Sequence, residues 1–140
     1  MFIPYSYGGE TLTPHQYLPA DDGTYTVGDA LVLTGGHLQK ASGAVKPSHI
    51  AMANKTIATD GEMLPVIAVK DGVIYESRLS VASASIARGT AYTIASDGAC
   101  VTATAQGVFS VIDYDGKAAG DTVRGVFVDA PPAGTNQSSN

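Results

Sequence analysis

The sequence has no tryptophan, one cysteine, three histidines and only 15% charged residues in its 140 positions. Each shortage removes a class of structure or chemistry. A single cysteine, Cys100, allows no internal disulfide, and with no Lys, Arg or His beside it the thiol reads as a small hydrophobe, not a nucleophile. His15, His37 and His49 fall at spacings that put no two on one face of a helix or strand, so no bound metal is expected. The eight basic residues are spread along a chain of formal net charge −5 without forming a cluster, which argues against phosphate neutralisation and hence against nucleic acid. No apolar run approaches membrane-spanning length, and Met-Phe-Ile-Pro-Tyr-Ser-Tyr-Gly-Gly lacks the basic and apolar regions of a signal peptide. A soluble protein made and kept in a cytoplasm is expected, with no membrane partner.

Catalytic signatures are also missing: no Gly-x-Ser-x-Gly elbow, no His-Glu-x-x-His, no Walker loop and no dinucleotide fingerprint. Asp21, Asp22, Asp60, Glu62, Asp71 and Glu76 could supply a carboxylate pair for glycoside hydrolysis. Three of the six, Asp22, Asp60 and Asp71, however, occupy Asp-Gly turns, where backbone hydrogen bonding already accounts for an aspartate. The reading is a protein that is not an enzyme and needs no cofactor, and weight moves to binding or structural roles.

What is present is a β composition. Hydrophobic residues make up 44%, enough for one domain with a real core. Asp-Gly recurs at 22–23, 60–61, 71–72, 97–98 and 115–116 between short β-branched runs, and no amphipathic helix of eight residues stands out. A mostly β, antiparallel domain is predicted over 21–130. Its centre is Asp60–Glu76, where Met63–Val69, apolar throughout and read as a strand buried on both sides, is followed by Lys70-Asp71-Gly72 and the returning run Val73-Ile74-Tyr75, a hairpin pattern. Pro65 cannot donate to a ladder and belongs at a strand start, an edge or a bulge. Ala30–Thr34, Gly35-Gly36 and His37–Ala41 form a second hairpin pattern; Thr24–Val27 and His49–Ala53 read as strands, Asn54–Thr59 as a connection, and Ser77–Ile86 as strand or a single helical turn. Phe109–Tyr114, Asp115-Gly116 and Thr122–Val128 close the domain.

A pattern also repeats. Gly28-Asp29-Ala30-Leu31-Val32-Leu33 is echoed 61 residues later by Gly89-Thr90-Ala91-Tyr92-Thr93-Ile94, and Gly61 before Glu62-Met63-Leu64 is echoed 59 residues later by Gly120 before Asp121-Thr122-Val123. Two readings stand: an internal duplication, or the habit of β-proteins to reuse Gly-acid turns before strands.

Residues 1–20 form an extended, Pro-punctuated N-terminal arm holding Phe2, Ile3, Tyr5, Tyr7, Tyr17 and Leu18. It either lies over its own domain or reaches onto a neighbour, since rings left in water forfeit their hydrophobic contribution. Residues 131–140 are polar and Pro/Gly-rich and are expected as a disordered tail.

The order of features resembles the small capsid decoration, or cement, proteins of tailed bacteriophages. The likeness rests on Tyr25–Leu33 followed by Gly36–Gly43, on Gly61–Val66 and Gly72–Glu76, on Ile86–Thr93 and Ala119–Phe127, and on the arm segments Ile3–Ser6 and Leu12–Ala20. The resemblance implies a compact antiparallel β-barrel or tulip-like domain, often a homotrimer, bound at three-fold or quasi-three-fold positions on the outside of the expanded head. There it would bridge subunits of the major capsid protein. On this reading Phe2, Ile3, Tyr5, Tyr7, Tyr17 and Leu18 carry the contact to the capsid, by strand addition or draping. The alternative is a carbohydrate- or receptor-binding surface module that uses Tyr5, Tyr7 and Tyr17 as stacking platforms.

Overall fold

The computed structural model describes residues 1–6 and 15–130. Tyr7 and the expected tail lie outside the described residues. Among the described residues there is no helix, and thirteen strands follow one another: β1 (Ile3–Ser6), β2 (His15–Ala20), β3 (Gly23–Tyr25), β4 (Ala30–Thr34), β5 (His37–Lys40), β6 (His49–Ala51), β7 (Lys55–Ile57), β8 (Glu62–Ala68), β9 (Ile74–Arg78), β10 (Ala91–Ile94), β11 (Val101–Ala105), β12 (Phe109–Tyr114) and β13 (Thr122–Phe127).

Strands β2-β5-β4-β6-β8 pair in that order and close on themselves through β8 and β2. A six-stranded sheet follows the order β1-β9-β13-β12-β10-β11, and a small ribbon joins β3 to β7. The hairpin expected over 30–41 is present: β4 and β5 pair antiparallel from Leu31↔Lys40 to Thr34↔His37. Its turn residues Gly35 (φ 60°) and Gly36 (φ 87°) both take the positive φ that a two-residue turn with the right twist demands. Asn54–Thr59, read as a connection, holds the short strand β7, and of Ser77–Ile86 only Ser77 and Arg78 belong to a strand.

The central hairpin expected over 63–75 is not one. β8 pairs with β2 and β6, whereas β9 pairs with β1 and β13, so Lys70-Asp71-Gly72 carries the chain from one sheet to the other. Nor is Met63–Val69 buried on both sides: Leu64 and Val66 face the core of the first ring and Ile67 a second core, while Met63 is exposed. Pro65 is tolerated because its carbonyl accepts the Met52 amide, one residue past the end of β6, where no further strand residue needs its missing N–H.

The two halves are built alike. The β2–β8 pairs Gln16↔Val66, Tyr17↔Pro65, Leu18↔Leu64 and Pro19↔Met63 recur 59 residues further on as the β9–β13 pairs Tyr75↔Gly125, Glu76↔Arg124, Ser77↔Val123 and Arg78↔Thr122. His49↔Ala68, Ile50↔Ile67 and Ala51↔Val66 recur as Phe109↔Phe127, Ser110↔Val126 and Val111↔Gly125. The pairs Ala30↔Ile50 and Leu31↔His49 recur as Ala91↔Ser110 and Tyr92↔Phe109. Bonds outside the strands repeat as well. Gly28 N donates to Ala51 O (2.8 Å) and Gly89 N to Val111 O (2.7 Å); Gly61 N donates to Ala20 O (2.9 Å) and Gly120 N to Leu79 O (2.8 Å). Even the parallel bridge that closes the first ring, Ala20↔Leu38, has its counterpart in Leu79↔Val101. Of the two readings of the sequence echo, shared turn chemistry does not account for matched registers in three ladders. The chain is a tandem of one five-stranded plan.

The core divides accordingly. Ala20, Tyr25, Leu31, Leu38, Ala51, Ile57, Leu64 and Val66 fill the first ring. Their counterparts Leu79, Ile86, Tyr92, Val101, Val111 and Val123 belong to the larger second cluster, which also takes in Ala30, Ile50 and Ile67 from the other face of the first ring and so joins the halves.

Candidate functional site

Residues 1–20, expected as an extended arm lying over the domain or reaching onto a neighbour, are placed as two strands of the β-structure where they are described. β1 pairs with β9, Ile3 opposite Glu76 and Pro4 opposite Tyr75. The Phe2 amide donates to Gly28 O across the junction of the halves (2.7 Å). The Phe2 side chain is fully buried, with ring centroids 5.5 Å from Phe109 and 5.3 Å from Phe127, and Phe127 lies 5.0 Å from Tyr75. Such tilted and edge-on aromatic contacts add to the burial itself. Phe2, expected at a partner, is therefore spent on the chain's own core in this structure. Ile3 is half-buried, and Leu18 is half-buried against the core of the first ring.

Tyr5 and Tyr17 are different, with 58% and 67% exposure. They sit on different halves. Tyr5 has the Arg124 guanidinium 4.7 Å from its ring centre, and Arg124 is itself held by Glu76 (Nε to Oε2, 3.0 Å) and Asp115 (Nη1 to Oδ1, 3.1 Å). The bond to Asp115, chiefly, holds the Arg124 pKa above its ordinary value. Arg88 extends the network through Asp113 (2.8 Å), which lowers the Asp113 pKa, and lies over the Tyr114 ring. This face of the second half is polar and internally paired.

Tyr17 stands on a barer surface. It lies opposite Pro65, and Pro19 opposite Met63, so the alternation of the two strands puts Tyr17, Pro19, Met63 and Pro65 on one face, with Met63 52% exposed. Sequence reasoning missed Met63 and Pro65 because an unbroken apolar run hides which alternate residues face outward.

The main chain of β2 adds a second feature. In an antiparallel ladder hydrogen-bonded and non-bonded pairs alternate, and a proline cannot exchange both bonds. With the Pro65 carbonyl turned to Met52 on the β6 side, Tyr17↔Pro65 is a non-bonded pair, so the Tyr17 N–H and C=O point away from β8. Among the described residues no strand pairs with His15–Pro19 on that side, and His15, Gln16 and Tyr17 are all exposed. No family model matches the chain, nor does any curated protein or solved structure.

The carboxylates considered for hydrolysis separate. Asp71 pairs with Lys46 (3.0 Å) and Glu76 with Arg124, while Glu62 accepts the Ala58 and Thr59 amides, which lower its pKa. Asp21 and Asp22 line a shallow depression of ≈ 390 Å³ together with Gln39 and Lys40, and Asp60 meets Asp22 beside it. Asp21 accepts from Gln39 (2.6 Å) and pairs with His37 (3.0 Å), which together lower its pKa. Asp22 is pushed up by its hydrogen bond and repulsion with Asp60, whose Oδ1 also accepts the Asp22 amide (2.7 Å). Bonds within the fold thus engage these groups. His49 is half-buried beside Ser48 Oγ (2.8 Å), with its pKa lowered by burial, and His15 is exposed. No three potential ligands gather into a metal site among the described residues. Among those residues, too, no helix is long and apolar enough to cross a membrane.

Proposed function

We propose that this protein is a structural component of a bacteriophage virion that binds the exterior of the expanded head and bridges major capsid subunits. The observation that carries the reading is the surface around Tyr17: an exposed aromatic and apolar face beside a β-edge whose main-chain groups point outward. Such a surface suits protein contacts made through backbone and apolar groups. The resemblance to decoration proteins, over nearly the whole chain, supplies the identity of the partner. It also supplies the finer description of the fold as barrel-like or tulip-like, assembly as a homotrimer at three-fold or quasi-three-fold positions, and the absence of catalysis. The protein would be made in the bacterial host's cytoplasm and end on the outer surface of the capsid. Many copies on one shell act together, so a modest affinity per site is enough to stabilise it.

The deciding experiment is co-sedimentation of the purified protein with expanded, undecorated heads over a range of concentrations. Saturable binding at a fixed ratio to the capsid subunit is expected; no binding to heads verified as expanded would overturn the reading. The 67% exposure of Tyr17 also favours a second reading, a carbohydrate- or receptor-binding module with that ring as a platform. Glycan binding lost on Tyr17→Ala, without attachment to heads, is the result that would select it.

A further inference from the structure

The duplication shows what the edge of β2, uncovered among the described residues, is shaped to receive. In the second half the strand equivalent to β2 is β9, and its edge is covered by β1. Pro4 opposite Tyr75 is a non-bonded pair, so Glu76, opposite Ile3, is the residue that exchanges main-chain bonds with β1. The equivalent of Glu76 is Tyr17, since Glu76↔Arg124 and Tyr17↔Pro65 hold the same ladder position. The same backbone groups that hold β1 on the second half therefore stand uncovered, among the described residues, on the first. We propose that the edge of β2 at His15–Tyr17 is a strand-addition site that takes a short extended segment of a major capsid subunit, antiparallel to β2. This proposal rests on the capsid reading above.

The side chains around the edge exclude a second copy's β1 as the occupant. β1 is anchored by Phe2 against Phe109 and Phe127, with Tyr75 packed on Phe127. The equivalents of those three are Gln16, His49 and Ala68, two of them polar and one small. A β1 segment moved there would leave its aromatic cage and gain none. The occupant is instead an extended segment with a small or polar residue where β1 carries phenylalanine, its neighbours resting on the apolar face of Tyr17 and Met63. Main-chain bonds supply the affinity, and the Gln16 and His49 side chains favour the polar residue.

The test separates main chain from side chain at one position. Tyr17→Pro deletes the outward N–H and leaves the β8 ladder intact, because Tyr17 gives β8 no bond; Tyr17→Ala deletes the ring and keeps the N–H. On expanded heads Tyr17→Pro is expected to bind about tenfold more weakly than Tyr17→Ala, the loss of one bond plus the exclusion of its neighbour by the proline ring. Equal binding of the two variants, both folded, would overturn the strand-addition site while leaving head binding intact; failure of the wild type to bind would overturn the capsid reading itself. Should Tyr17→Pro not fold, amide exchange on the wild-type protein decides. The Tyr17 amide is expected to exchange freely in the isolated protein and to become protected on heads, and an amide equally exposed in both states would refute the site.

Discussion

The two halves share a ladder and differ in what closes it. In the second half β1 lies along β9 and drives Phe2 into an aromatic cage; in the first the matching edge of β2 has no such cover among the described residues, and the cage positions hold Gln16, His49 and Ala68. Backbone register has been copied with fidelity while the side chains have diverged. The second half has taken on the task of joining the molecule, gathering Ala30, Ile50 and Ile67 of the first into its own core. The first half, with less aromatic burial, keeps the more apolar exposed face, marked by Tyr17 and Met63. One plan therefore serves as a foundation in one copy and leaves an exposed apolar face on the other.

Removing the feature that most distinguishes the halves should have the largest effect. Phe2→Ala is expected to cost about 3–5 kcal/mol in a denaturant titration and to release β1, exposing on the second half the edge that is uncovered, among the described residues, on the first. Stability within 1 kcal/mol of wild type would show that Phe2 does not anchor β1. Next come Val66 and Gly125, which occupy equivalent ladder positions. Val66 is fully buried, whereas a Cβ on Gly125 would strike the Ser110 carbonyl oxygen and come within 3.0 Å of the Phe109 ring. Val66→Ala, which leaves a cavity, and Gly125→Ala, which overpacks, should each destabilise by roughly 1–3 kcal/mol for opposite reasons. A stabilising Gly125→Ala would show that the close approach of the Ser110 backbone and the Phe109 ring does not dictate this glycine.

Arg124 offers a smaller test. It links Tyr5 of β1 to Glu76 and Asp115. Arg124→Gln should lower the unfolding temperature by a few degrees in low salt, and by less in high salt, as screening weakens exposed pairs. Equal losses at both salt concentrations would assign the effect to packing. Smallest is Asp22, whose pKa is raised in the folded state by Asp60. The folded protein then holds that proton more tightly than the unfolded chain, so stability falls as pH rises from the ordinary aspartate pKa through the raised one. Asp22→Asn should raise the unfolding temperature slightly at pH 7 and leave it unchanged below the ordinary aspartate pKa; the opposite ordering would contradict the assigned repulsion.

Much of this plan was legible in the residues, and what was not had physical causes. The 30–41 hairpin could be read because Gly35-Gly36 specifies both the turn and its two strands. The 63–75 hairpin was misread because Lys70-Asp71-Gly72 specifies a change of direction but not which sheet receives the strand that follows. The duplication surfaced as two short echoes only, since Gln16/Tyr75, His49/Phe109 and Val66/Gly125 share positions without sharing chemistry. Aromatic residues near the start were recognised as needing a surface to cover them, but spacing does not say that Phe2 finds it in its own core and Tyr17 does not.

Residue-resolved amide exchange on the isolated full chain tests the central claim most directly, by comparing equivalent positions of the two halves. A ladder copied twice with one edge covered predicts that Gln16 and Tyr75, both bonded inward, are protected, and that Glu76 is protected while Tyr17 exchanges as an unbonded amide. Equal protection of Tyr17 and Glu76 in the isolated protein would contradict it, because the first half's edge would then be closed already and have nothing to offer a partner.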